Sequence, residues 1–291
     1  MPDYDGIVIR PPSEANSLIL QFTIGCSHNR CIFCPAYKQK EFRIRSMLEM
    51  EQEVRDCLPA LYSTRRIFLA DGDALIAPQR DLLALIELLK SHFPLLQRVG
   101  LYANTGSILG KSVEELINLH QKGLDVIYLG VESGDDNLLA WMRKGVTVDE
   151  IKEACRRVKE AKIKLSVTVM LGIGGCRWSL EHARATGKIL SEIGPNHVGA
   201  LTTMVVSGTP LHKLELAGDF ILPDSFMILK ELAEMLEYTE MRGLFFANHA
   251  SNYFPLRIRM PMQRSDAVAK LRQLVAKRDA STVNPEWMRR L

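Results

Sequence analysis

The sequence predicts an α/β fold built on a parallel sheet, and three observations support this. Short apolar runs alternate with amphipathic segments from about residue 17 onward. The runs are hydrophobic almost throughout, which is typical of parallel strands that are buried on both faces. The segments between them have helical periodicity, and strand–helix alternation at this spacing indicates right-handed βαβ units. A Rossmann-type open sheet and a partial barrel would both satisfy this pattern.

Six strands are predicted before the pattern changes near residue 207. They cover 17–24, 66–70, 98–104, 125–131, 164–171 and 197–203. The helices predicted between them cover 46–61, 79–92, 112–122, 149–161 and 178–192. Thr147 and Glu150, in "TVDE", have the spacing of a capping box at the start of the fourth helix.

The last part of the chain has a different pattern. A long helix is predicted over 224–241, a short strand over 244–248 and a final helix over 264–278, followed by a tail that packs back on the body. We therefore predict a core over 1–210 and a C-terminal helical extension over 211–291 that packs on it. Ligands of parallel α/β folds bind at the carboxyl ends of the strands, so the loops there are the candidate site.

Composition and charge limit the class of protein. The 291 residues are 47% hydrophobic and carry a formal charge of only +3, which argues against a nucleic-acid partner. The start, "MPDYDGIVIR", lacks the features of a signal peptide, and no apolar run is long enough to span a membrane. A cytoplasmic protein with no membrane partner is expected.

Three of the six cysteines lie close together in "GCSHNRCIFCPAYK", directly after the first predicted strand. Cys26, Cys31 and Cys34 could bind zinc with His28 as the fourth ligand. Zinc fits less well, because all ligands would come from one loop and His28 is very near Cys26. A [4Fe–4S] cluster held by three thiolates fits better, because it leaves one iron open at the functional edge. Cys57 and Cys155 lie inside helical patterns and are expected to be buried apolar residues.

The cysteine loop resembles that of the radical S-adenosylmethionine (radical SAM) enzymes, in which three cysteines follow the first strand of a partial barrel. Phe33, in "CIFC", occupies the aromatic position before the last cysteine. The spacing departs from the usual one, because four residues rather than three separate Cys26 from Cys31. The resemblance implies a partial (β/α)6 TIM-like barrel over the core.

The resemblance continues at the ends of the later strands. "LADGDAL" resembles the turn that receives the amino group of S-adenosylmethionine, with Gly72 and Asp73 at its functional positions and Asp71 in place of a glycine. Asn104, which ends the third strand, is included in the same cofactor-binding set.

"LGVESGDDNLLAWMRKGVT" is similar to the branch that contains coproporphyrinogen oxidase, the Elongator catalytic subunit and the methylthiotransferases. There Glu132 would reach the ribose, and Lys144, with Arg143 beside it, would meet the carboxylate. In "VTVMLGIGG", Thr168 would contact the ribose and Gly172 would lie under the adenine.

The resemblance implies an enzyme, an oxidoreductase or a transferase, that uses a [4Fe–4S] cluster to cleave S-adenosylmethionine. The 5′-deoxyadenosyl radical so formed would abstract hydrogen from a small-molecule substrate, with flavodoxin or ferredoxin as the reductant. No second cysteine cluster, cobalamin-binding domain or RNA-binding domain is evident, which favours a small molecule. The alternatives are a non-catalytic iron–sulfur protein that binds a metabolite or carries electrons, and a zinc-stabilised binding module.

Three further features are candidates for contact with substrate or partner. Cys176, just past the fifth strand, could donate a hydrogen atom to a product radical, or could be a bystander. His249, Asn252 and Tyr253, in "ANHASNY", could line a substrate pocket or form a hydrogen-bonded structural corner. The basic run "KQKEFRIR" (38–45) could meet an anionic substrate or a reductant, or form a solvated face.

Overall fold

The structure, a computed structural model, describes residues 4–57 and 60–290. Its strands are β1 Leu18–Gln21, β2 Thr23–Ile24, β3 Arg43–Ile44, β4 Arg66–Ala70, β5 Arg98–Ala103, β6 Leu124–Glu132, β7 Lys164–Leu171, β8 His197–Thr202, β9 Gly243–Ala247 and β10 Leu256–Met260. Its helices are α1 Met47–Asp56, α2 Gln79–His92, α3 Thr105–Leu109, α4 Val113–Lys122, α5 Asp136–Trp141, α6 Val148–Glu160, α7 Gly175–Ile193, α8 Pro210–Leu216, α9 Ser225–Glu237 and α10 Arg264–Lys277.

The chain divides into two compact units. The first contains the chain up to Asn29 together with Ala36–Leu129 and Glu153–Leu165. The second contains Arg30–Pro35, Gly130–Lys152 and the chain from Ser166 onward.

In the first unit, β1, β4, β5 and β6 lie side by side in that order and are all parallel. The register aligns Ile19 with Phe68, Phe68 with Gly100 and Gly100 with Val126. Four consecutive residues of β4 are fully buried, as expected for a parallel strand that is covered on both faces. Helix α2 has a stripe of buried leucine and isoleucine side chains at helical spacing and packs against α1 and α4.

In the second unit, β7, β8 and β9 are parallel and β10 pairs antiparallel with β9. Burial alternates along β7, β8 and β10, so one face of this sheet is buried and the other is half-buried or exposed. Helices α7, α9 and α10 pack together in this unit, and α10 also contacts β10. The prediction of strands buried on both faces is therefore wrong for these strands of the second unit, since successive side chains differ in burial.

Most predicted elements are present, and the α/β fold class with parallel strands is confirmed. Thr147 and Glu150 form the predicted capping box, with backbone-to-side-chain distances of 2.7 and 3.3 Å. The helix predicted over 46–61 ends at Asp56, and positions 58 and 59 of that prediction lie outside the described residues. The segment predicted as a helical extension also contributes two strands, β9 and β10. No described helix is long and apolar enough to cross a membrane.

Candidate cluster and cofactor site

Cys26 lies just after β2, in a polar network belonging to the first unit. The Asn104 side-chain amide donates to Cys26 Sγ at 3.7 Å and to Ser27 Oγ at 3.0 Å. In iron–sulfur proteins, hydrogen bonds to the ligating sulfurs tune the reduction potential of the cluster. The Cys26 side chain is half-buried, which suits a ligand that is shielded but reachable.

Asp73, which follows the carboxyl end of β4, holds this network together through hydrogen bonds. Its fully buried carboxylate accepts from Ser27 Oγ (2.6 Å), Ser107 Oγ (2.6 Å), Asn104 N (3.0 Å) and Asn104 Nδ2 (3.2 Å). Burial raises the pKa of Asp73, although these hydrogen bonds oppose the shift. A carboxylate has about four lone-pair sites, so the protein already satisfies Asp73. The geometry favours a role in holding Ser27 and Asn104.

Gly72 allows the turn after β4 to lie directly against the cysteine loop. Its N–H donates to Gly25 O at 3.0 Å. A Cβ at this position would lie 2.9 Å from the Cβ of Cys26 and 2.8 Å from the Tyr37 ring. Any larger residue would push the loop away, so the sequence needs glycine here.

Asp71, a departure from the family pattern, anchors the start of the same loop. Its buried Oδ2 accepts from Gly25 N at 3.0 Å, Lys40 Nζ at 2.8 Å and Gln21 Nε2 at 2.9 Å. Within the described residues its Oδ1 has no hydrogen-bond partner. Lys40 belongs to the predicted basic run, and the structure places its ammonium on this buried carboxylate.

The other cysteines of the loop, Cys31 and Cys34, belong to the second unit and are half-buried, as is Phe33 between them. The loop is fixed there through its backbone. Ile32 N donates to Met142 O at 3.0 Å, and Ile32 O accepts from Leu211 N at 3.1 Å. The buried Ile32 side chain thus sets the path on which both cysteines lie.

The cysteines are available as thiols, because none of the six, all in described parts of the chain, forms a disulfide. Among the described residues, no three or more His, Cys, Asp or Glu side chains are placed to hold one metal ion. In a [4Fe–4S] cubane each thiolate binds a separate iron atom, so its ligands do not converge on one ion.

In the second unit, Glu132 and Lys144 contact each other at the end of β6. Lys144 Nζ donates to Glu132 Oε1 at 3.1 Å, and both side chains are largely buried. Glu132 has a φ of +64°, which is uncommon for this residue type. A Cβ on Gly130 would lie 2.1 Å from Glu132 Oε1, so the glycine makes room for the carboxylate. Arg143, also at positive φ (+56°), is exposed beside this pair.

The turn after β7 is held by a carboxylate from α9. Gly172, at φ +76°, donates its N–H to Glu231 Oε1 at 2.6 Å. The positive φ favours glycine at this position, and a Cβ there would also meet Ile228 Cδ1 at 2.6 Å. Thr168 lies earlier on β7, half-buried on the less covered face of the sheet and in register with Gly199.

Glu231 belongs to a fully buried polar cluster with His182. Ser179 Oγ donates to Glu231 Oε2, and His182 Nε2 is 3.7 Å from Glu231 Oε1. His182 Nε2 donates to Met170 O at 2.7 Å, and its Nδ1 lies 2.8 Å from Ser133 Oγ, so the ring links the ends of β6 and β7. Burial raises the pKa of Glu231 to about 7 and lowers that of His182 to about 4. Both groups are therefore neutral near pH 6.

Cys176 lies in the first turn of α7, where it is exposed. Partial loss of water around its sulfur raises the pKa of its thiol. Its backbone N–H donates to Ile221 O at 2.9 Å, which fixes the position of the residue. Its role in quenching a radical stays a prediction.

The polar cluster after β9 is mainly a structural corner. Asn252 is buried, its Oδ1 accepts from Thr202 Oγ1 at 2.8 Å and its Nδ2 donates to Ala200 O at 2.9 Å. The Tyr253 hydroxyl donates to Glu286 at 2.7 Å and accepts from Arg289 at 2.6 Å. Their polar atoms are thus occupied, which favours the structural alternative for these two residues. His249 accepts from Ser251 N through Nδ1 (3.1 Å), which leaves its Nε2 as the hydrogen-bearing nitrogen.

Comparison with known proteins decides the family. Residues 20–185, more than half of the chain, match the sequence profile of the radical SAM superfamily. The chain belongs to that superfamily. Radical SAM enzymes use a [4Fe–4S] cluster and S-adenosylmethionine, as predicted from the cysteine loop, and the match supports an enzyme over a non-catalytic iron–sulfur protein.

The curated proteins that resemble this chain include a tRNA-modifying enzyme and an uncharacterised protein. It is 29% identical over 214 residues to a tRNA-2-methylthio-N(6)-dimethylallyladenosine synthase of Dehalococcoides mccartyi, covering 69% of this chain and 50% of that enzyme. It is 24% identical over 231 residues to an uncharacterised protein of Methanocaldococcus jannaschii, covering 74% and 69%. The chain thus spans about half the length of the methylthiotransferase relatives.

Solved structures of low sequence identity show the radical SAM fold. Coproporphyrinogen III oxidase from Escherichia coli superposes with a TM-score of 0.58 at 15% identity, covering 76% of this chain and 51% of that one. Methylornithine synthase superposes with a TM-score of 0.55 at 18% identity, covering 78% and 64%. The likeness confirms the predicted fold.

The residues of this chain fit the radical SAM cofactors. Three half-buried thiols lie in one loop, one of them with an amide donor, and glycine is required where the next strand's turn meets that loop. Sequence reasoning missed Glu231, Ser107 and the pairing of Asp71 with Lys40. Glu231 left a signal, because it is an acidic residue among the buried apolar positions of α9.

Proposed function

We propose that this chain is a radical SAM enzyme that acts on a small molecule. When bound, the [4Fe–4S] cluster and S-adenosylmethionine supply an electron and a 5′-deoxyadenosyl radical that removes hydrogen from an unactivated carbon. The observation that carries the proposal is the environment of Cys26, where Asn104 donates to the sulfur and Gly72 leaves room for the loop. A structural cysteine would need neither feature.

Cys26, Cys31 and Cys34 would bind the cluster as thiolates. Asn104 supports the charge on Cys26 Sγ, and Asp73 fixes Asn104 through its backbone and side chain. Asp73 thus acts on the cluster loop through its neighbours, while the backbone of Gly72 lies beside the loop.

Glu132, Lys144, Thr168 and Gly172 would hold S-adenosylmethionine, with Phe33 and Arg143 beside them. Lys144 offers an ammonium for the carboxylate, and Glu132 offers a carboxylate for the ribose hydroxyl groups. Gly172 would contribute through its backbone, because Glu231 accepts its N–H and so fixes the turn that the resemblance places under the adenine.

The reaction also needs a one-electron donor, for which we propose a flavodoxin or ferredoxin. The basic run 38–45 gives this partner limited support, because Lys40, Arg43 and Arg45 already pair with carboxylates of the chain. A low-potential donor suits the reducing cytoplasm, which is the predicted location.

The test is anaerobic reconstitution with iron and sulfide, followed by dithionite and S-adenosylmethionine. We expect a brown protein and release of 5′-deoxyadenosine, and we expect Cys31→Ala to abolish both. Cys155→Ala is the matched control, because Cys155 is fully buried in α6, away from the cysteine loop in sequence. A colourless wild-type protein, or a brown one that releases no 5′-deoxyadenosine, would contradict the proposal.

A second candidate substrate is tRNA, because the curated relatives at 28–29% identity are by name tRNA methylthiotransferases. The two candidates separate when the active protein is given either a small-molecule extract or unfractionated tRNA. Stimulated release of 5′-deoxyadenosine by the small-molecule fraction alone supports the first, and by tRNA alone the second.

A further inference from the structure

Gly199 lies in the middle of the less covered face of the second unit's sheet. A row of paired residues crosses four strands at this level, with Thr168 beside Gly199, Gly199 beside Phe246 and Phe246 beside Arg257. A Cβ at Gly199 would meet only Leu201 Cδ1 at 3.8 Å and Val167 O at 3.9 Å, both ordinary contact distances. The φ of Gly199 is not positive, so the backbone does not require glycine here.

The missing side chain therefore leaves a hollow in the sheet face. Glycine inside a strand often marks the place where a ligand approaches closely. Residues two positions away along a strand lie on the same face, so Leu201 and His197 border the hollow along β8. Strands lie about 4.8 Å apart, so Thr168 and Phe246 border it on either side, about 10 Å from each other. A planar ring would fit this width.

Arg257 lies at the end of this row, on the strand next to Phe246. Its Cζ is 5.5 Å from the centre of the Phe246 ring, which stacks the guanidinium and leaves its N–H edges for another group. Arg259 projects from the same face one row away. Within the described residues neither guanidinium has a hydrogen-bond or ion-pair partner. Other arginines of this region do have carboxylate partners, namely Arg264, Arg272, Arg278 and Arg289.

The paired positions on this face contain no aspartate or glutamate. They are Ser166, Thr168, Met170, His197, Gly199, Leu201, Leu244, Phe246, Arg257 and Arg259. A face with two guanidinium groups and no carboxylate attracts an anion, and the planar fork of arginine matches a carboxylate or phosphate.

We propose that the hollow over Gly199 binds the substrate as a planar or apolar group, and that Arg257 binds an anionic oxygen group, carboxylate or phosphate, on the same molecule. The inference names a substrate class for the proposed function and so rests on it. Thr168, in the same row, is the residue proposed to contact the ribose. The substrate would thus lie one strand away from the cofactor.

The experiment uses the full reconstituted chain and three probes of one shape. Benzoate and phenyl phosphate carry the two anionic groups, and benzamide is the neutral counterpart. Binding is measured by saturation-transfer NMR and calorimetry. We expect both anions, or one of them, to bind at least about 10-fold more tightly than benzamide, because a charge-assisted pair is replaced by a neutral one. The anion that binds more tightly shows whether the substrate's anionic group is a carboxylate or a phosphate.

Three variants locate the binding. Arg257→Gln should weaken binding of the preferred anion about 10-fold or more. Gly199→Val introduces a residue that suits a strand and should fill the hollow and abolish binding. Arg259→Gln is the matched control from the same strand face and should weaken anion binding clearly less than Arg257→Gln, since Arg259 lies one row away from the glycine. Circular dichroism and thermal unfolding check that each variant is folded.

Several results would overturn the inference. They are equal binding of benzoate, phenyl phosphate and benzamide, equal losses in Arg257→Gln and Arg259→Gln, unchanged binding in Gly199→Val, and no binding of any probe to wild type. Release of 5′-deoxyadenosine is measured separately on the same preparations. Anion binding without that release contradicts the proposed function, whereas release without anion binding contradicts only this inference.

Discussion

Replacing Glu231 with glutamine should change how the stability of the protein depends on pH. Glu231 is fully buried, and burial raises its pKa from 4.5 to about 7. Between these values the folded protein keeps a proton that the unfolded chain releases. This stabilisation is complete below pH 4.5 and is lost as the pH rises through about 7. The loss is about 1.4 kcal/mol per pH unit, or about 3 kcal/mol in all.

His182 acts in the opposite direction. Burial lowers its pKa from 6.5 to about 4, so the folded protein keeps the ring neutral while the unfolded chain takes up a proton. Its stabilisation is complete above pH 6.5 and is lost as the pH falls through about 4. The two slopes nearly cancel between pH 4.5 and 6.5 in the wild type. Glu231→Gln removes one slope and should leave stability rising with pH by about 1.4 kcal/mol per unit.

The assay is urea unfolding, followed by tryptophan fluorescence, at several pH values across this window. Glu237→Gln is the control, because it makes the same change in a partly exposed carboxylate of α9. Exposed ion pairs contribute little, so this variant should follow the wild type. Parallel profiles for wild type and Glu231→Gln would refute the reasoning, since they would mean that Glu231 binds its proton equally in both states.

Three other changes have expected outcomes. Gly72→Ala places a Cβ 2.9 Å from that of Cys26, so we expect destabilisation of about 1–3 kcal/mol and loss of cluster absorbance, whereas Gly106→Ala, with nothing within 4 Å, should keep both. Lys144→Met removes the partner of a buried carboxylate and should weaken S-adenosylmethionine binding about 10-fold or more by calorimetry, and unchanged affinity would exclude the proposed contact. Arg289→Met leaves the carbonyls of Ser251 and Thr203 without their buried donor and should cost about 3 kcal/mol in chemical unfolding. Arg290→Met, at an exposed position, should cost under about 0.5 kcal/mol, and equal losses would contradict the account.

The strands were predictable because hydrophobic runs persist wherever a strand is buried. The predicted span 66–70 coincides with β4, whose residues after Arg66 are fully buried. β10 was missed because its exposed face carries Arg257 and Arg259, so the run reads as polar. The short helices α3, α5 and α8 are one or two turns long, too short for helical periodicity to be visible.

For the site, the sequence indicated which residue types are needed but not which side chains pair with each other. The cysteine loop and its glycines could be recognised because metal binding and close backbone approach restrict the residue type. The pairing of Asp71 with Lys40 joins positions 31 residues apart and leaves no periodic signal. The four protein donors on Asp73 likewise appear only in three dimensions, because Ser27 comes from the cysteine loop whereas Asn104 and Ser107 come from the start of α3.

The contact between Glu132 and Lys144 has a consequence for what can enter the site. A molecule that draws the ammonium away leaves a largely buried carboxylate without its partner, which is costly unless the same molecule brings donors of its own. Free methionine has an acid group but no sugar diol, and adenosine has the diol but no acid group. Each alone would separate the two side chains and compensate only one of them. If the proposed contacts are right, admission would depend on both chemical features arriving on one molecule.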